Sequence, residues 1–400
     1  MTLPDRLLRS FILKVASRCN LVCPYCYVYF KGDATWKRRP PMMPDDVFEQ
    51  TLKRIREYGT ASGQTSVAIS FHGGEPCLIG ARRFDTWCSR AKQSLGDISV
   101  RFSIQTNGTL LDAEWAETLR RHEVRVGVSV DGSREIHDSR RPDRRGAGSY
   151  EAVERGLVVL REAGVRFSIL TVLPLGADPL FVHRHLMSLG ADSIAYILPD
   201  FTHDTIAPIR ARHGQTPCAD FLIPIFDDWA QGSLEVPVGD LWNMSRVILG
   251  GRSQIEAIGN QPTGYAVIET DGDIESIDVL RICSEGMAAT GLNVRDATFQ
   301  DLTRASPLHR HAMFEGMPLP RACRDCPESR TCAGGYLPHR WSQQNGFDNP
   351  SVWCADLLKL FGHVRKQLDV TVEETDRRRE RLQGLVDSSP RAAGTRELPL

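Results

Sequence analysis

The sequence predicts an α/β protein: a partial (β/α)6 TIM-like barrel followed by a small α+β module rich in cysteine. Three observations carry that prediction. Apolar β-branched runs alternate with longer amphipathic stretches through the first two hundred residues, a pattern that predicts a parallel sheet wound by right-handed crossovers. Only six such units are present, fewer than the eight that close a full barrel, so one side is expected to stand open. Seven of the eleven cysteines fall in two tight groups, at 19–26 and 323–354.

The chain has 400 residues, of which 41% are hydrophobic and 25% charged, with a formal charge of −1. That length accommodates one large barrel and an appended module. The charge gives no electrostatic case for nucleic acid. No apolar run approaches a membrane span, and the start lacks a signal-peptide core. A cytoplasmic protein is expected, and eleven cysteines in a reducing compartment do not read as a disulfide framework.

Taken in order, strands are expected at 12–16, 66–71, 99–105, 124–130, 166–172 and 193–198. Helices are expected at 44–58, 81–94, 112–122, 149–163 and 179–189. Asp112 and Ser149 are residue types that start helices. After Pro199 the periodicity stops: 200–217 reads as a loop, and 218–231 and 238–249 as bridging helices. Asp271-Gly272, between runs at 265–270 and 273–279, is the strongest hairpin signal in the chain. A helix is expected at 352–368, then a fraying charged helix and disorder. The expected organisation is a barrel over 1–200, bridging helices over 201–262, a cysteine-rich module over 263–370 and a charged, disordered tail over 371–400.

The stretch after the first strand carries the chemistry. Cys19-x3-Cys23-x2-Cys26 crowds three soft ligands into eight residues with no fourth nearby. Thiolates select zinc or an iron–sulfur cluster. A zinc knuckle would draw its fourth ligand from elsewhere; a cubane cluster on three cysteines keeps one iron open. Strands two, three and four end in His72-Gly73-Gly74-Glu75-Pro76, Gln105-Thr106-Asn107-Gly108-Thr109 and Ser129-Val130-Asp131-Gly132. In parallel α/β folds these strand ends are where ligands sit. Two glycines let a ligand approach the backbone, and Glu75 can hold an ammonium. Asn107 offers an amide, and Ser129 with Asp131 suits ribose or amino-acid groups. Each motif alone is a common turn. Their strength is joint.

Together, over roughly residues 10–200, these motifs resemble the radical S-adenosylmethionine (SAM) superfamily. The resemblance implies a [4Fe–4S] cluster on Cys19, Cys23 and Cys26 whose open iron binds SAM. It implies cleavage of SAM to a 5′-deoxyadenosyl radical that abstracts hydrogen from a substrate. Gly73, Gly74 and Glu75 would hold the methionyl ammonium, and Tyr25 would pack near the adenine. Ser129 would contact the ribose or carboxylate, Arg141 would pair with the carboxylate, and Asn107 and Asp131 complete the cofactor-binding set. A reductase such as flavodoxin or ferredoxin would supply electrons.

Cys323-x2-Cys326-x5-Cys332 with Cys354 is a full ligand set for zinc or a closed cluster, and composition does not choose between them. With Gly334-Gly335-Tyr336 and Trp353-Cys354 the arrangement resembles the SPASM extension of radical SAM enzymes that modify peptides. That implies one auxiliary [4Fe–4S] cluster on these four cysteines, two clusters in all. Tyr336 stands where the fuller pattern has another cysteine, and Ile277 stands in its Pro-Cys-Asp element, so a second auxiliary cluster is not expected. Cys283 has no partner at ligand spacing, and Cys77, Cys88 and Cys218 read as small buried hydrophobes. Asp278 stands where anaerobic sulfatase-maturating enzymes have a catalytic aspartate, which implies a base. The other reading of Asp278 is an exposed acid on the hairpin.

Segments 290–294 and 346–354 look most like the maturases of ribosomally made peptides (RiPPs) that build three-residue cyclophanes. The expected function is therefore radical SAM maturation of a ribosomal precursor peptide, joining an aromatic carbon to a side-chain Cβ. The alternatives are formylglycine formation on a sulfatase and thioether formation, with the missing second auxiliary cluster weighing against the sulfatase. A zinc-stapled binding protein is the non-enzymatic alternative.

Overall fold

The computed structural model describes residues 7–232, 236–259 and 261–388. Strands β1 (Ser10–Ala16), β2 (Ser66–Gly73), β3 (Ser99–Thr106), β4 (Arg125–Ser129), β5 (Phe167–Val172) and β6 (Ser193–Ile197) run parallel in sequential order. Between them lie α1 (Asp45–Ala61), α2 (Ala81–Leu95), α3 (Ala113–Arg121), α4 (Arg134–Arg140), α5 (Tyr150–Glu162) and α6 (Pro179–Ser188). Each unit adds its strand on the same side as the last, so the order never reverses. The sheet curls as a partial barrel, with all six C-terminal strand ends at one mouth.

Every expected barrel strand and helix is present within three residues of its expected limits. Asp112 caps α3, accepting from Trp115 N at 2.9 Å. Ser149 does not cap α5: its hydroxyl donates to the Arg141 carbonyl at 2.6 Å, and Asp138 accepts from Tyr150 N at 2.7 Å instead. Helix α4 was not expected. Its seven residues bury only His137, so no apolar stripe announces it.

The C-terminal module continues the barrel sheet. Strand β7 (Tyr265–Ile268) pairs parallel with β1, Ser10 opposite Tyr265 and Leu13 opposite Ile268. Strands β8 (Asp273–Glu275) and β9 (Ala289–Asn293) follow antiparallel, giving nine strands in the order β6-β5-β4-β3-β2-β1-β7-β8-β9. The Asp271-Gly272 turn forms as expected, with Gly272 at φ 92°. Its second strand is shorter than 273–279: it stops at Glu275, and the chain enters a 3-10 turn at Asp278–Ile282. Asp278 is thus neither on the hairpin nor exposed. One apolar core runs without interruption from Leu8 to Val370.

Beyond β6, residues 200–217 are not all loop. Helix α7 (Ala207–His213) lies within them, started by Pro208, ended by Gly214 and burying no side chain. It is invisible to periodicity for the same reason as α4. Helices α8 (Pro217–Gln231) and α9 (Gly239–Ile248) precede β7, α10 (Pro307–Arg310) is one turn, and α11 (Cys354–Leu368) packs on α8 and α9. Leu222 of α8, Leu241 and Met244 of α9, and Leu357 and Leu360 of α11 all line the interior cavity. These helices close the open side of the barrel.

The expectation of disorder over 371–400 is corrected in its first part. Residues Val372–Ser388 form α12, which docks on the end of α9. Thr375 Oγ1 donates to the Ile248 carbonyl at 2.6 Å, and Arg379 donates to that of Val247 at 3.1 Å. Residues 389–400 lie outside the described residues. No helix among the described residues is long and apolar enough to cross a membrane.

Asp356 of α11 caps α8, accepting from Cys218 N at 2.7 Å and Ala219 N at 3.1 Å. Both amides lack any partner within their own helix. Replacing Asp356 by Ala is expected to cost about 2 kcal/mol, read as a lower denaturation midpoint at unchanged slope.

Candidate active site

A cavity of about 610 Å³ lies at the C-terminal ends of the barrel strands. One wall is formed by Cys19, Cys23 and Cys26 with Tyr25, Gly73, Gly74, Asn107, Ser129 and Arg141. The cysteine loop is wound tightly: Cys26 N donates to the Cys23 carbonyl at 3.0 Å and Phe30 N to that of Cys26 at 3.0 Å. Cys19 Sγ accepts from Leu21 N at 3.4 Å and from Asn107 Nδ2 at 3.8 Å. Burial pushes the Cys19 thiol up to about 12 and raises those of Cys23 and Cys26. Thiolates form here only with a positive centre to bind them. Among the described residues, no three His, Cys, Asp or Glu side chains converge closely enough to grip a single ion. The three cysteines stand around a shared hollow, as a cluster requires.

The two glycines serve the protein before any ligand. A Cβ on Gly73 would lie 2.3 Å from the Ala16 carbonyl oxygen, and one on Gly74 2.3 Å from that of Arg18. They let β2 pass against the end of β1 and the start of the cysteine loop.

Glu75 and Asp131, expected to touch the cofactor, do not line the cavity. Glu75 is fully buried, accepting from Thr106 Oγ1 at 2.6 Å, Cys77 N at 2.9 Å and Asn107 N at 2.7 Å. Burial raises its pKa against the pull of those donors. It ties β2 to β3 and has no oxygen turned to the cavity wall for an ammonium. Asp131 accepts from Tyr25 Oη at 2.5 Å, Arg140 Nε at 3.2 Å and Val172 N at 3.4 Å. Arg141 Nη1 donates to Tyr25 Oη at 2.5 Å, while its Nε is buried without a partner. An orphaned guanidinium nitrogen on a cavity-lining arginine fits an incoming carboxylate. The Ser129 hydroxyl accepts from Gln105 Nε2 at 3.1 Å.

Asp278 sits behind the cavity wall. Its carboxylate pairs with Lys14 Nζ and accepts from Tyr27 Oη at 2.5 Å. Lys14 also donates to Tyr27 Oη at 2.9 Å and meets His72 Nδ1 at 3.1 Å, and Gly73 N donates to the same His nitrogen at 2.8 Å. Burial alone would raise the Asp278 pKa, but Lys14, His72 and the Tyr27 hydroxyl outweigh it and hold the carboxyl far below the usual range. Burial, with Lys14 beside it, lowers His72 to about 3. Tyr27 and His72 line the cavity; Asp278 and Lys14 do not. The sequence signal for this cluster was a lone lysine inside the apolar run of β1.

A second unforeseen group lies on the opposite module. Glu256 accepts from Tyr336 Oη at 2.7 Å and from Tyr265 Oη, and all three line the cavity. Tyr336 and Ile277, the two cysteine replacements, are buried in an apolar cluster with Leu280, Ala288, Ala312 and Leu337. Apolar contacts from that cluster surround both positions. Cys283 belongs to the same packing, its Sγ 3.7 Å from the Pro338 carbonyl.

Cys323, Cys326, Cys332 and Cys354 line a separate small hollow with Gly334, Ser351 and Leu358. Burial pushes Cys332 up to about 12 and raises Cys323 and Cys354. Four cysteines leave no position for a substrate. Leu357, one turn beyond Cys354, lines the main cavity, so the two sites share a thin wall.

The Radical SAM superfamily profile matches residues 13–179. Over 368 residues the chain is 32% identical to a cysteine-type anaerobic sulfatase-maturating enzyme of Clostridium novyi, covering 88% of this chain and 94% of the relative. The chain belongs to that family, within the radical SAM superfamily. A cysteine-type relative from Clostridium perfringens is 26% identical over 373 residues, covering 90% and 97%. The solved structure of native anSMEcpe with bound AdoMet shares the fold, with a TM-score of 0.77 at 24% identity over 90% of this chain and 97% of that one. The protein is thus a radical SAM oxidoreductase of the peptide-modifying kind, whose cofactors are SAM and [4Fe–4S] clusters.

These similarities overturn the cyclophane expectation. They run almost end to end, whereas the segments behind that expectation cover a small part of the C-terminal third. Those segments also have structural work of their own. Asn293 donates to Asp273 Oδ1 at 2.9 Å to hold β9 on β8, and Asn349 donates to the Arg340 carbonyl at 2.9 Å.

Replacing Gly74 by Ala is expected to push the cysteine loop off β2 while sparing the outer helices. Iron and sulfide analysis after anaerobic reconstitution checks this: the variant holds about half the iron of the parent, the share of one cubane in two.

Proposed function

We propose that the protein oxidises a Ser or Cys side chain of a sulfatase polypeptide to formylglycine. The observation that carries the reading is end-to-end similarity to sulfatase-maturating enzymes, 32% identical in one case across 94% of the relative. A cavity with a polar, cysteine-lined wall and a largely aliphatic far end supports it, since it can take an extended peptide loop beside a small polar cofactor.

In this reading Cys19, Cys23 and Cys26 hold the cluster that binds SAM. The Gly73-Gly74 backbone, Asn107, Ser129 and Arg141 hold SAM itself, and Tyr25 packs against it. Glu75 and Asp131 brace these groups from behind. Cys323, Cys326, Cys332 and Cys354 hold one closed auxiliary cluster. Once bound, SAM and its cluster supply the one-electron chemistry that removes hydrogen from an unactivated carbon. The chain's own residues orient the substrate, exclude water and receive the proton that leaves with the second electron. Asp278 is the candidate for that proton, its carboxylate held in place by Lys14 and Tyr27. A flavodoxin- or ferredoxin-type donor supplies electrons, and the reaction belongs in the cytoplasm, where thiols stay reduced.

The test is anaerobic incubation with SAM, a reductant and sulfatase-derived peptides carrying Cys or Ser at the target position. Conversion lowers the peptide mass by about 18 Da for Cys or about 2 Da for Ser, with an aldehyde that a hydrazide reagent captures. SAM cleavage with no aldehyde on either peptide overturns the reading.

Iron content gives an independent check. The wild type is expected to hold about eight irons and a Cys323→Ala variant about four, the loss leaving SAM binding intact.

A further inference from the structure

We propose that Arg340 is the fixed counter-charge of the auxiliary cluster and holds its reduction potential up, an assignment that rests on reading the Cys323 quartet as an iron–sulfur site. Arg340 ends the 3-10 turn Leu337–Arg340, which follows Cys332 and the Gly334-Gly335 pair. The residue is 3% exposed. Its Nε donates to the Phe347 carbonyl at 3.1 Å, and its Nη2 donates to the Phe347 and Pro318 carbonyls at 2.9 and 2.8 Å. Every hydrogen bond that it makes among the described residues therefore goes to a neutral carbonyl. Asp348 acts on it from a distance but is itself bound to Arg321 at 2.5 Å. A guanidinium stays charged, and a buried charge without an anion is costly. Arg340 is built to meet one.

The quartet supplies that anion. The Arg340 stem packs on Gly334, where an added Cβ would stand 3.8 Å from Arg340 Cδ and 3.0 Å from Pro320 Cδ. Gly334 lines the quartet hollow, and the Pro320 carbonyl accepts from Cys323 N at 2.9 Å. The electrostatic pull is mutual. Burial raises the Cys323 thiol, Cys354 and Cys326 add to that, and Arg340 draws it back. Burial lowers Arg340, and Cys323, Asp348 and Cys332 oppose the loss of its charge. The other charges around the quartet are already balanced or wet. Glu328, which lines the hollow, is buried in a two-pronged pair with Arg365, Nε at 2.5 Å and Nη2 at 2.9 Å. Arg210, which acts on Cys354, pairs with Asp356 at 3.4 Å. Arg324 and Asp325 are exposed. Arg340 is the buried charge left over.

A cubane on four thiolates is an anion, and taking up one electron makes it more negative. A fixed cation in a poorly solvated wall stabilises the reduced form more than the oxidised form, so the potential rises. An arginine in water, such as Arg321 with its side chain 77% exposed, does far less, because solvent and salt screen it. The turn that ends in Arg340 also carries His339 and follows Tyr336, both on the wall of the main cavity. One short segment thus faces the substrate space and holds the charge beside the quartet.

The test is a potentiometric titration of the reconstituted holoenzyme, followed by electron paramagnetic resonance with and without SAM. SAM binds the open iron on the cysteine triplet, so the signal that it leaves unchanged reports the quartet. Arg340→Gln is expected to lower that midpoint, cutting the reduced-to-oxidised ratio at a fixed solution potential about tenfold, which is about 59 mV for one electron. Arg340→Lys keeps the charge but loses the fork to Phe347 and Pro318, and its midpoint is expected to move less than half as far. Arg321→Gln is expected to leave the midpoint at the wild-type value, and none of the three is expected to move that of the SAM-responsive cluster. An Arg340→Gln midpoint that does not fall, or equal shifts in the Gln and Lys variants, overturns the assignment, because a brace made only of hydrogen bonds fails alike in both. If Arg340→Gln holds no quartet cluster, Arg340→Lys decides: a cluster retained at the wild-type midpoint upholds the counter-charge, and any other result overturns it. A wild type holding about four irons, all SAM-responsive, brings down the auxiliary-cluster reading itself, and neither readout depends on which peptide is oxidised.

Discussion

A buried ammonium must be paired, and in this protein the pairing of Lys14 ties the molecule together. Lys14 is buried on β1, an interior strand of the nine-stranded sheet between β2 and β7. Its partners come from three other places: Tyr27 from the cysteine loop, His72 from the end of β2 and Asp278 from the C-terminal module. Moving any of them would leave a charge in a medium where an unpaired one costs several kcal/mol. The geometry of the cysteine loop, the glycine pair after His72 and the docking of the second module are thus set by one electrostatic requirement. Placing the cysteine loop and the C-terminal module on the same anchor also fixes the wall between the main cavity and the Cys323 hollow.

Much of the barrel was legible because its signals are redundant. A parallel strand buried on both faces needs a run of apolar residues, and the helices that cover it need a stripe. Elements without a stripe escaped: α4 buries only His137 and α7 buries nothing. Strand β9, half-buried and carrying Gly291 at φ 79°, has no alternation to read. The tail departs from expectation for a related reason. Its arginines look like a solvated run, yet Arg379 and Thr375 are spent on the last carbonyls of α9.

At the site, the sequence marks the strand ends that form the cavity wall but not the hydrogen bonds their carboxylates make. Carboxylates beside a ligand-binding motif look like ligand groups, but Glu75 and Asp131 each meet three protein donors and hold the strand ends in register. A motif shows that a carboxylate is needed, not which way its oxygens point. Glu256 lay in a stretch with no motif at all. Its carboxylate meets Tyr265 and Tyr336, nine and eighty residues away in sequence, and pairs at such separation are set by the fold. The departure at Tyr336 was visible; what the tyrosine does there was not.

The parallel pairing of β7 with β1 makes the C-terminal module part of the barrel's own wall. A chain ended before Tyr265 would expose one edge of β1, its amides and carbonyls unmatched along an apolar strand, which is a template for aggregation. Modules that attach through linkers can be traded between proteins, but one that contributes a strand cannot be removed without opening the host. The barrel and the C-terminal module of this enzyme are therefore one unit of folding, joined through the shared sheet.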